Sequence, residues 1–358
     1  MNKIFVFVAS IAIIIIIIFF SLKDKFDLNN LILLIQNQTG LSIDSVGETS
    51  LEIYPKIEYK NSNATISNYK KNLIFKNADI IINKDYNPWN PLNFSIKSNE
   101  VDFEGIKFNN FETLGSYRSD KVNFANINSR FFEGEVEAKG VINFNNNFDF
   151  RGKFKNISLN ALFKQANLAS WDRLKIKLSS NEFIIEGISE NNQDFLKSLK
   201  GVVKISGSLF FVASDEERFG AALLSLFSEK LPSLNTTSSS INFILTNFSD
   251  IPTKINGKIE LNNGLIIFNN IIFHNETGKS SLNGTFDFTQ NIIDGKINFY
   301  KNDEIFIKAE LKGNIEDPQI LVDEKVFNLN DGSEPKDIKK LFEEGINSFV
   351  EKLLKIEE

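Results

Sequence analysis

One histidine, His274, and 46 carboxylates are the groups from which an acid–base or metal site would have to be built, because the 358-residue chain has no cysteine. A lone histidine excludes multi-histidine zinc sites and leaves little material for a Ser-His-Asp triad. His274 follows Phe273 in a strand-turn context, where a surface or half-buried histidine is expected rather than a catalytic one. The chain has no glycine-rich phosphate loop ending in Lys-Ser or Lys-Thr, no Gly-x-Ser-x-Gly elbow and no His-Glu-x-x-His, so the motifs for phosphate cradling, acyl transfer and zinc hydrolysis are missing. Asp287, Asp294 and Asp317 read as turn or outer-face carboxylates. A glycosidase needs two carboxylates at a set separation, and no spacing singles out a pair. The expectation is a protein without catalytic residues, metal or cofactor. Its net charge of −6 over 358 residues carries no basic excess, so nucleic acid is not an expected partner.

What the chain does carry is apolar surface. Its aromatics are almost all Phe, 35 against six Tyr and two Trp, and Phe suits cores, membranes and lipid contacts better than polar substrates. These residues alternate with polar ones. Between Ile255 and Pro318 the chain reads Ile-Asn-Gly-Lys-Ile-Glu-Leu, then Leu-Asn-Gly-Thr-Phe-Asp-Phe, then Leu-Lys-Gly-Asn-Ile, each bounded by Asn, Gly or Asp. Period-2 alternation between such breaks predicts half-buried strands joined by tight turns. The same apolar-x-Gly-x-apolar phrase occurs around Gly134, Gly140, Gly152 and Gly207 and returns at Gly257, Gly284 and Gly313. A repeated strand glycine costs packing and needs a reason. Curvature of the sheet over its inner face is one reason, and plain core glycine at barrel or sandwich bends is the other.

The elements around these strands are few. Ile4–Leu22 is an uncharged run of 19 residues with six consecutive isoleucines at 13–18, long enough to span a bilayer. A cleaved signal peptide is the alternative. The run is longer than a usual signal core and no small-x-small site follows it, which favours an uncleaved anchor. Lys3 precedes the run, while Lys23, Asp24, Lys25 and Asp27 cancel after it, placing the amino terminus in the cytoplasm and the bulk outside. A helix is expected from Leu28 to about Gln38, closed by Gly40, packed on the sheet or lying at the membrane. Ile53-Tyr54-Pro55 reads as extended. Further helices are expected over Leu159–Ala169, over Asp215–Leu231 with acidic residues in its first turn, and from Ser333 onward with an apolar stripe through Leu341, Phe342, Ile346, Phe349 and Leu353. Thr236–Ser240 reads as an exposed linker.

If the inner parity of the strands is apolar and the outer parity carries Lys, Asn, Asp and Glu, the sheet has one greasy and one wet face. A sandwich would bury the greasy face; a curved sheet could leave it as a groove suited to acyl chains. Roughly 280 residues at about 12 per strand and turn give roughly 20–25 strands, which as one unbroken sheet would reach on the order of 100 Å.

The run Leu33-Leu-Ile-Gln-Asn-Gln-Thr39-Gly40 after the apolar segment, followed by Ile53-Tyr54-Pro55 and Ile57, resembles the start of the bacterial AsmA family. Phe183-Ile-Ile-Glu-Gly187, Leu199-Lys-Gly201, Asn263-Gly264, Gly284-Thr-Phe-Asp-Phe288 and Gly313-Asn-Ile-Glu-Asp-Pro318 follow the order of that family's carboxy-terminal region, and the closing Gly-x-Ile-x-Asp-Pro is also similar to the end of the TamB relatives. The resemblance covers both ends and roughly two thirds of the chain. It implies a mainly β protein: an N-terminal transmembrane helix, then a long curved antiparallel sheet or groove (β-taco-like) with a few amphipathic helices. The division implied is an anchor over 1–25, AsmA-like β regions over 26–165 and 166–330, and a closing helix over 331–358. It further implies an inner-membrane protein of a Gram-negative bacterium, single-pass, with its bulk in the periplasm, handling phospholipid or another acyl-chain lipid in outer-membrane biogenesis or maintenance. The rival reading is a non-catalytic structural factor with a closed β core, whose partner is an outer-membrane or envelope protein. Along the inner parity the lipid-contact candidates are Val136, Ile142, Phe144, Phe150, Phe154, Ile255, Ile259, Leu261, Phe286, Phe288, Phe299, Ile305 and Ile307.

Overall fold

In the computed structural model the alternating stretches are antiparallel strands and the protein is mainly β. It describes residues 42–328 except 53, 69–72, 88, 104–105, 119–120, 144–146, 166–173, 189–196, 214–217, 219–220, 222–224, 226–234, 317 and 323–324. The expected membrane segment 4–22, the helix 28–38 and the closing helix from Ser333 lie outside the described residues. The chain falls into two compact units: residues 1–157, 179–203 and 261–264 form one, and 158–178, 204–260 and 265–358 the other.

The first unit is an up-and-down meander. The short strands β1 (Ser42–Ser45) and β2 (Thr49–Glu52) follow one another along β3 (Ile57–Asn68), pairing with its residues 64–67 and 58–61 in turn. From there β4 (Leu73–Lys84), β5 (Leu92–Phe103), β6 (Ile106–Arg118), β7 (Lys121–Phe131), β8 (Gly134–Asn143) and β9 (Asn147–Ser158) each pair with the preceding strand. Sequential neighbours pair because each connection is too short for a crossover. The residues before Ile57 form a bend at Tyr54–Lys56, with a cis peptide bond before Pro55.

A short helix, α1 (Leu159–Gln165), follows β9, and the Ser158 hydroxyl accepts the Ala161 amide at 3.3 Å as its N-cap. Next come β10 (Leu174–Ile188), β11 (Lys200–Phe211), α2 (Asn235–Phe248) and β12 (Thr253–Asn262). Of the expected helix over Asp215–Leu231, the described residues Arg218, Ala221 and Ser225 are helical. In the second unit β13 (Leu265–His274), β14 (Lys279–Asp287), β15 (Ile292–Lys301), β16 (Glu304–Asn314), β17 (Gln319–Val322) and β18 (Lys325–Asn328) form another meander.

Helix α2 corrects the linker expected at Thr236–Ser240. Ser and Thr are indifferent helix formers, but Ile241, Ile244, Leu245 and Phe248 recur at helical spacing. Phe243, Ile244 and Phe248 pack onto Phe299, Ile307 and Ala309 of β15 and β16, and Ser238 and Ser240 of the same helix are buried. Tertiary packing of one apolar stripe supplies the stability that local propensity does not.

Candidate lipid-contact surface

Register sorts the side chains of the first unit onto two faces. On one face, residues opposite each other run in rows across the strands. One row is Leu51, Tyr59, Ile82, Phe94, Gly115, Phe124, Gly140 and Phe150, crossing β2 to β9 in order. Beside it lie Ile80, Ile96, Thr113, Ile127, Ala138 and Gly152 on one side and Leu92, Tyr117, Val122, Ile142 and Phe148 on the other. No residue in these three rows carries a charge.

The glycines in these rows make room for rings. The Phe94 and Phe124 rings meet edge to face at 5.8 Å across Gly115, and the Phe124 and Phe150 rings approach to 5.9 Å across Gly140. A methyl group at Gly115 would strike the Phe94 ring, and one at Gly140 would strike the Phe150 ring. An aromatic ring lying over a cross-strand glycine recovers the contact area that the glycine gives up.

Another residue type interrupts the ladders. Asn63, Asn77, Asn110, Asn156 and Asn270 each sit inside a strand with φ between 50° and 56°, the left-handed region that Asn tolerates better than most residues. Register shifts occur at Asn63, Asn110 and Asn270, as at β-bulges, which bend a strand and raise its twist. Three of these asparagine amides are satisfied by neighbouring side chains. Asn63 donates to Asp79 Oδ1 at 3.0 Å, Asn156 to Ser179 Oγ at 2.9 Å and Asn270 to Asn283 Oδ1 at 2.8 Å.

The opposite face of the first unit is a ladder of opposed charges. Lys76 stands across from Glu100 with Nζ–Oε1 at 2.6 Å, Lys97 across from Glu112 at 3.1 Å and Glu137 across from Lys153 at 2.8 Å. Glu58 lies between Lys56 and Lys60 at 2.6 and 2.7 Å. The hydrogen bonds from Lys56 and Lys60 hold its carboxyl below the usual range, and those from Lys76 do the same for Glu100. A one-residue slip would move every charge to the apolar face, so this ladder and the apolar rows fix the same register.

The expected contact residues divide three ways. Val136, Ile142, Phe150 and Phe154 share the apolar face of β8 and β9, with Val136 directly opposite Phe154. Ile142, Ile255, Phe299 and Ile307 are buried in protein, whereas Val136, Phe150, Phe154, Ile259, Leu261, Phe286 and Phe288 are half-buried. Phe299 lies opposite Ile307, and its ring meets Phe248 of α2 at 5.4 Å. Phe286 packs with Ile293 and Leu311, joined by Phe163 of α1. Ile305 is exposed, and Phe144 lies outside the described residues. The expected contact residues include none from Tyr59 to Val122, although that stretch supplies most of the first unit's apolar cluster; the strand alternation at Phe94 and Ile96 was the signal that could have pointed to them.

Among the described residues, no group of three or more His, Asp and Glu could hold a metal ion. His274 is exposed at the end of β13. Asp287 closes a turn by accepting from Thr289 and Gln290, Asp294 is exposed on β15, and Asp317 lies outside the described residues. A cleft of about 470 Å³ opens in the first unit between Asn143, Asp149, Glu186, Ser198, Lys200 and Asn263, with Phe148 in its wall. Its Ser198 hydroxyl is committed to the backbone of Ile188, donating to the carbonyl at 2.9 Å and accepting the amide at 2.8 Å. The chain matches no family model, no curated protein and no solved structure.

Proposed function

We propose that this protein handles phospholipid or another acyl-chain lipid in the envelope of a Gram-negative bacterium, held in the inner membrane by residues 4–22 with its bulk in the periplasm, as its AsmA-like segments imply. The observation that carries the reading is the set of uncharged rows crossing β3 to β9 in the first unit. An acyl chain needs continuous apolar contact and offers no hydrogen bonds, so a charge-free face many strands wide suits it; half-buried Phe150 and Phe154 are the side chains of the first unit to meet it, and half-buried Phe286 and Phe288 are the candidates of the second unit. The non-catalytic structural factor is the second reading, favoured by the burial of Ile142, Ile255, Phe299 and Ile307 within the protein.

The two readings differ in what lies against the half-buried rings. A photoactivatable phenylalanine analogue placed at Phe150, Phe154 or Phe286 of the full chain, irradiated in cells, should yield phospholipid adducts detectable by mass spectrometry. The same analogue at Lys97 or Lys153 on the charged face should yield none. Adducts only with protein, or with nothing, at all three Phe positions would reject lipid handling in favour of the structural factor.

A further inference from the structure

Both tryptophans are rare assets in this chain, and Trp89 is 82% exposed. It projects from the loop joining β4 to β5. Tyr86 in the same loop is 56% exposed, and Tyr54 in the loop joining β2 to β3 is 85% exposed. The two loops are neighbours, because Ile57 at the start of β3 pairs with Lys84 at the end of β4. Three of the chain's eight Trp and Tyr residues thus stand in solvent at one end of one sheet.

The β4–β5 loop is built to hold that display. Asp85 accepts the Asn87 amide at 3.0 Å and the Asn90 side-chain amide at 2.6 Å, and Asn87 Oδ1 accepts the Trp89 amide at 3.0 Å. Asn87 O accepts the Asn90 amide at 3.2 Å, and Lys84 donates to the Asn90 carbonyl. A loop tied at this many points keeps the indole outward at little cost in conformational entropy. The same end offers two exposed basic side chains. Arg118 and Lys121 are exposed and flank the β6–β7 turn, which lies at this end because Leu92 pairs with Tyr117. Lys56 of the β2–β3 loop is paired with Glu58 at 2.6 Å, Asp85 is engaged inside its own loop, and Asp120 falls between Arg118 and Lys121 in the sequence.

We infer that this end of the first unit, Tyr54, Tyr86 and Trp89 with Arg118 and Lys121, docks on the headgroup region of an anionic phospholipid bilayer. Trp and Tyr join an apolar ring to a polar tip, and that combination partitions to the membrane interface. Basic side chains beside them find anionic headgroups. The distance is coverable. Ser42 pairs with Ser67, so the chain enters β1 ten residues along β3 from Ile57, roughly 33 Å at strand rise. The 20 peptide steps from Leu22 to Ser42, with the helix expected over 28–38 counted at about 1.5 Å per residue and the rest extended, span up to roughly 50 Å. A bilayer holding residues 4–22 is therefore within reach of the Trp89 end. The inference rests on membrane placement of the protein and not on acyl chains entering the sheet.

The test is tryptophan quenching on the full chain reconstituted in vesicles of phosphatidylethanolamine with a minority of phosphatidylglycerol. The part of the emission lost in Trp89→Phe belongs to Trp89, and unchanged circular dichroism of that variant verifies the fold. That emission should be quenched by phospholipid brominated near the headgroup end of its acyl chains and less by lipid brominated near the methyl end. Arg118→Gln and Lys121→Gln should each lower the ratio of docked to undocked protein about fivefold. Trp89 emission untouched by brominated lipid and freely quenched by acrylamide would overturn the docking, and would leave a soluble protein partner as the ligand of the aromatic cluster. Failure of lipid crosslinking at Phe150, Phe154 and Phe286 with Trp89 still quenched would remove lipid handling alone.

Discussion

An asparagine in the left-handed region is the residue-scale device that recurs through this protein. Asn77 illustrates it. On β4 it separates Lys76, opposite Glu100, from Ala78, opposite Ser98, with φ of 50°. Asn tolerates this conformation because its short polar side chain can bond locally, whereas a β-branched residue there is strained by roughly 1–2 kcal/mol. Asn77→Val should therefore destabilise the first unit by about 1–2 kcal/mol, while Asn77→Gly should lie within about 0.5 kcal/mol of the parent. Urea denaturation of both variants decides the matter; equal losses would mean that the side chain, and not the backbone angle, is what the site requires. The glycine repeat was visible in the sequence and its association with the apolar parity was right. Its purpose was not visible, because the ring lying over Gly140 comes from Phe150 on the next strand, and only register joins them. Asparagines were equally invisible as bulges in a chain so rich in them, since no local pattern separates a strand Asn on the wet face from one that bends the strand.

At the scale of elements, strands were legible and the covering helix was not. Period-2 alternation is a local property, so β5 through β9 and β12 through β16 could be read residue by residue. Helix α2 opens with Asn-Thr-Thr-Ser-Ser-Ser, which locally says loop, and is stabilised by a sheet that follows it in the chain. Phe248 is the test of that dependence. It is buried against Phe299, with Ile307 and Ala309 in the same cluster. Phe248→Ala removes a buried ring and should cost about 3–5 kcal/mol, read as a lower urea midpoint for the second unit together with loss of helical circular dichroism. If the helical signal survives while the midpoint falls, α2 holds its shape by itself and the packing argument for it fails. Residues 236–240 would then be helical for a reason residing in their own sequence.

For the molecule as a whole, the net charge of −6 conceals an ordered pattern of charges. The wet face of the first unit pairs carboxylates with lysines on adjacent strands, and the second unit repeats this with Lys296 opposite Glu310 and Asp294 opposite Lys312. Glu58, Glu100 and Glu310 are each held below the ordinary carboxylate range, chiefly by hydrogen bonds from lysines: Lys56 first for Glu58, Lys76 for Glu100 and Lys312 for Glu310. A carboxyl that binds its proton less readily folded than unfolded favours the folded state above its unfolded pKa. That contribution declines as the pH falls below the unfolded value and is gone once the pH has dropped through the lower, folded one. Thermal stability should accordingly be flat from neutral pH to about pH 5 and decline at more acid pH. Glu58→Gln and Glu100→Gln should lower the plateau and make the acid decline shallower, because a glutamine has no proton to take up. The lysines of these pairs are exposed even though Glu58 itself is buried, so the loss at neutral pH should be about 1 kcal/mol for each variant and should shrink in high salt. Melting temperatures measured from pH 3 to 8, at low and high salt, would check this. An acid decline of unchanged steepness in the double variant would place the acid sensitivity of the fold in other carboxylates, and the ladder would then serve to set register without contributing to stability.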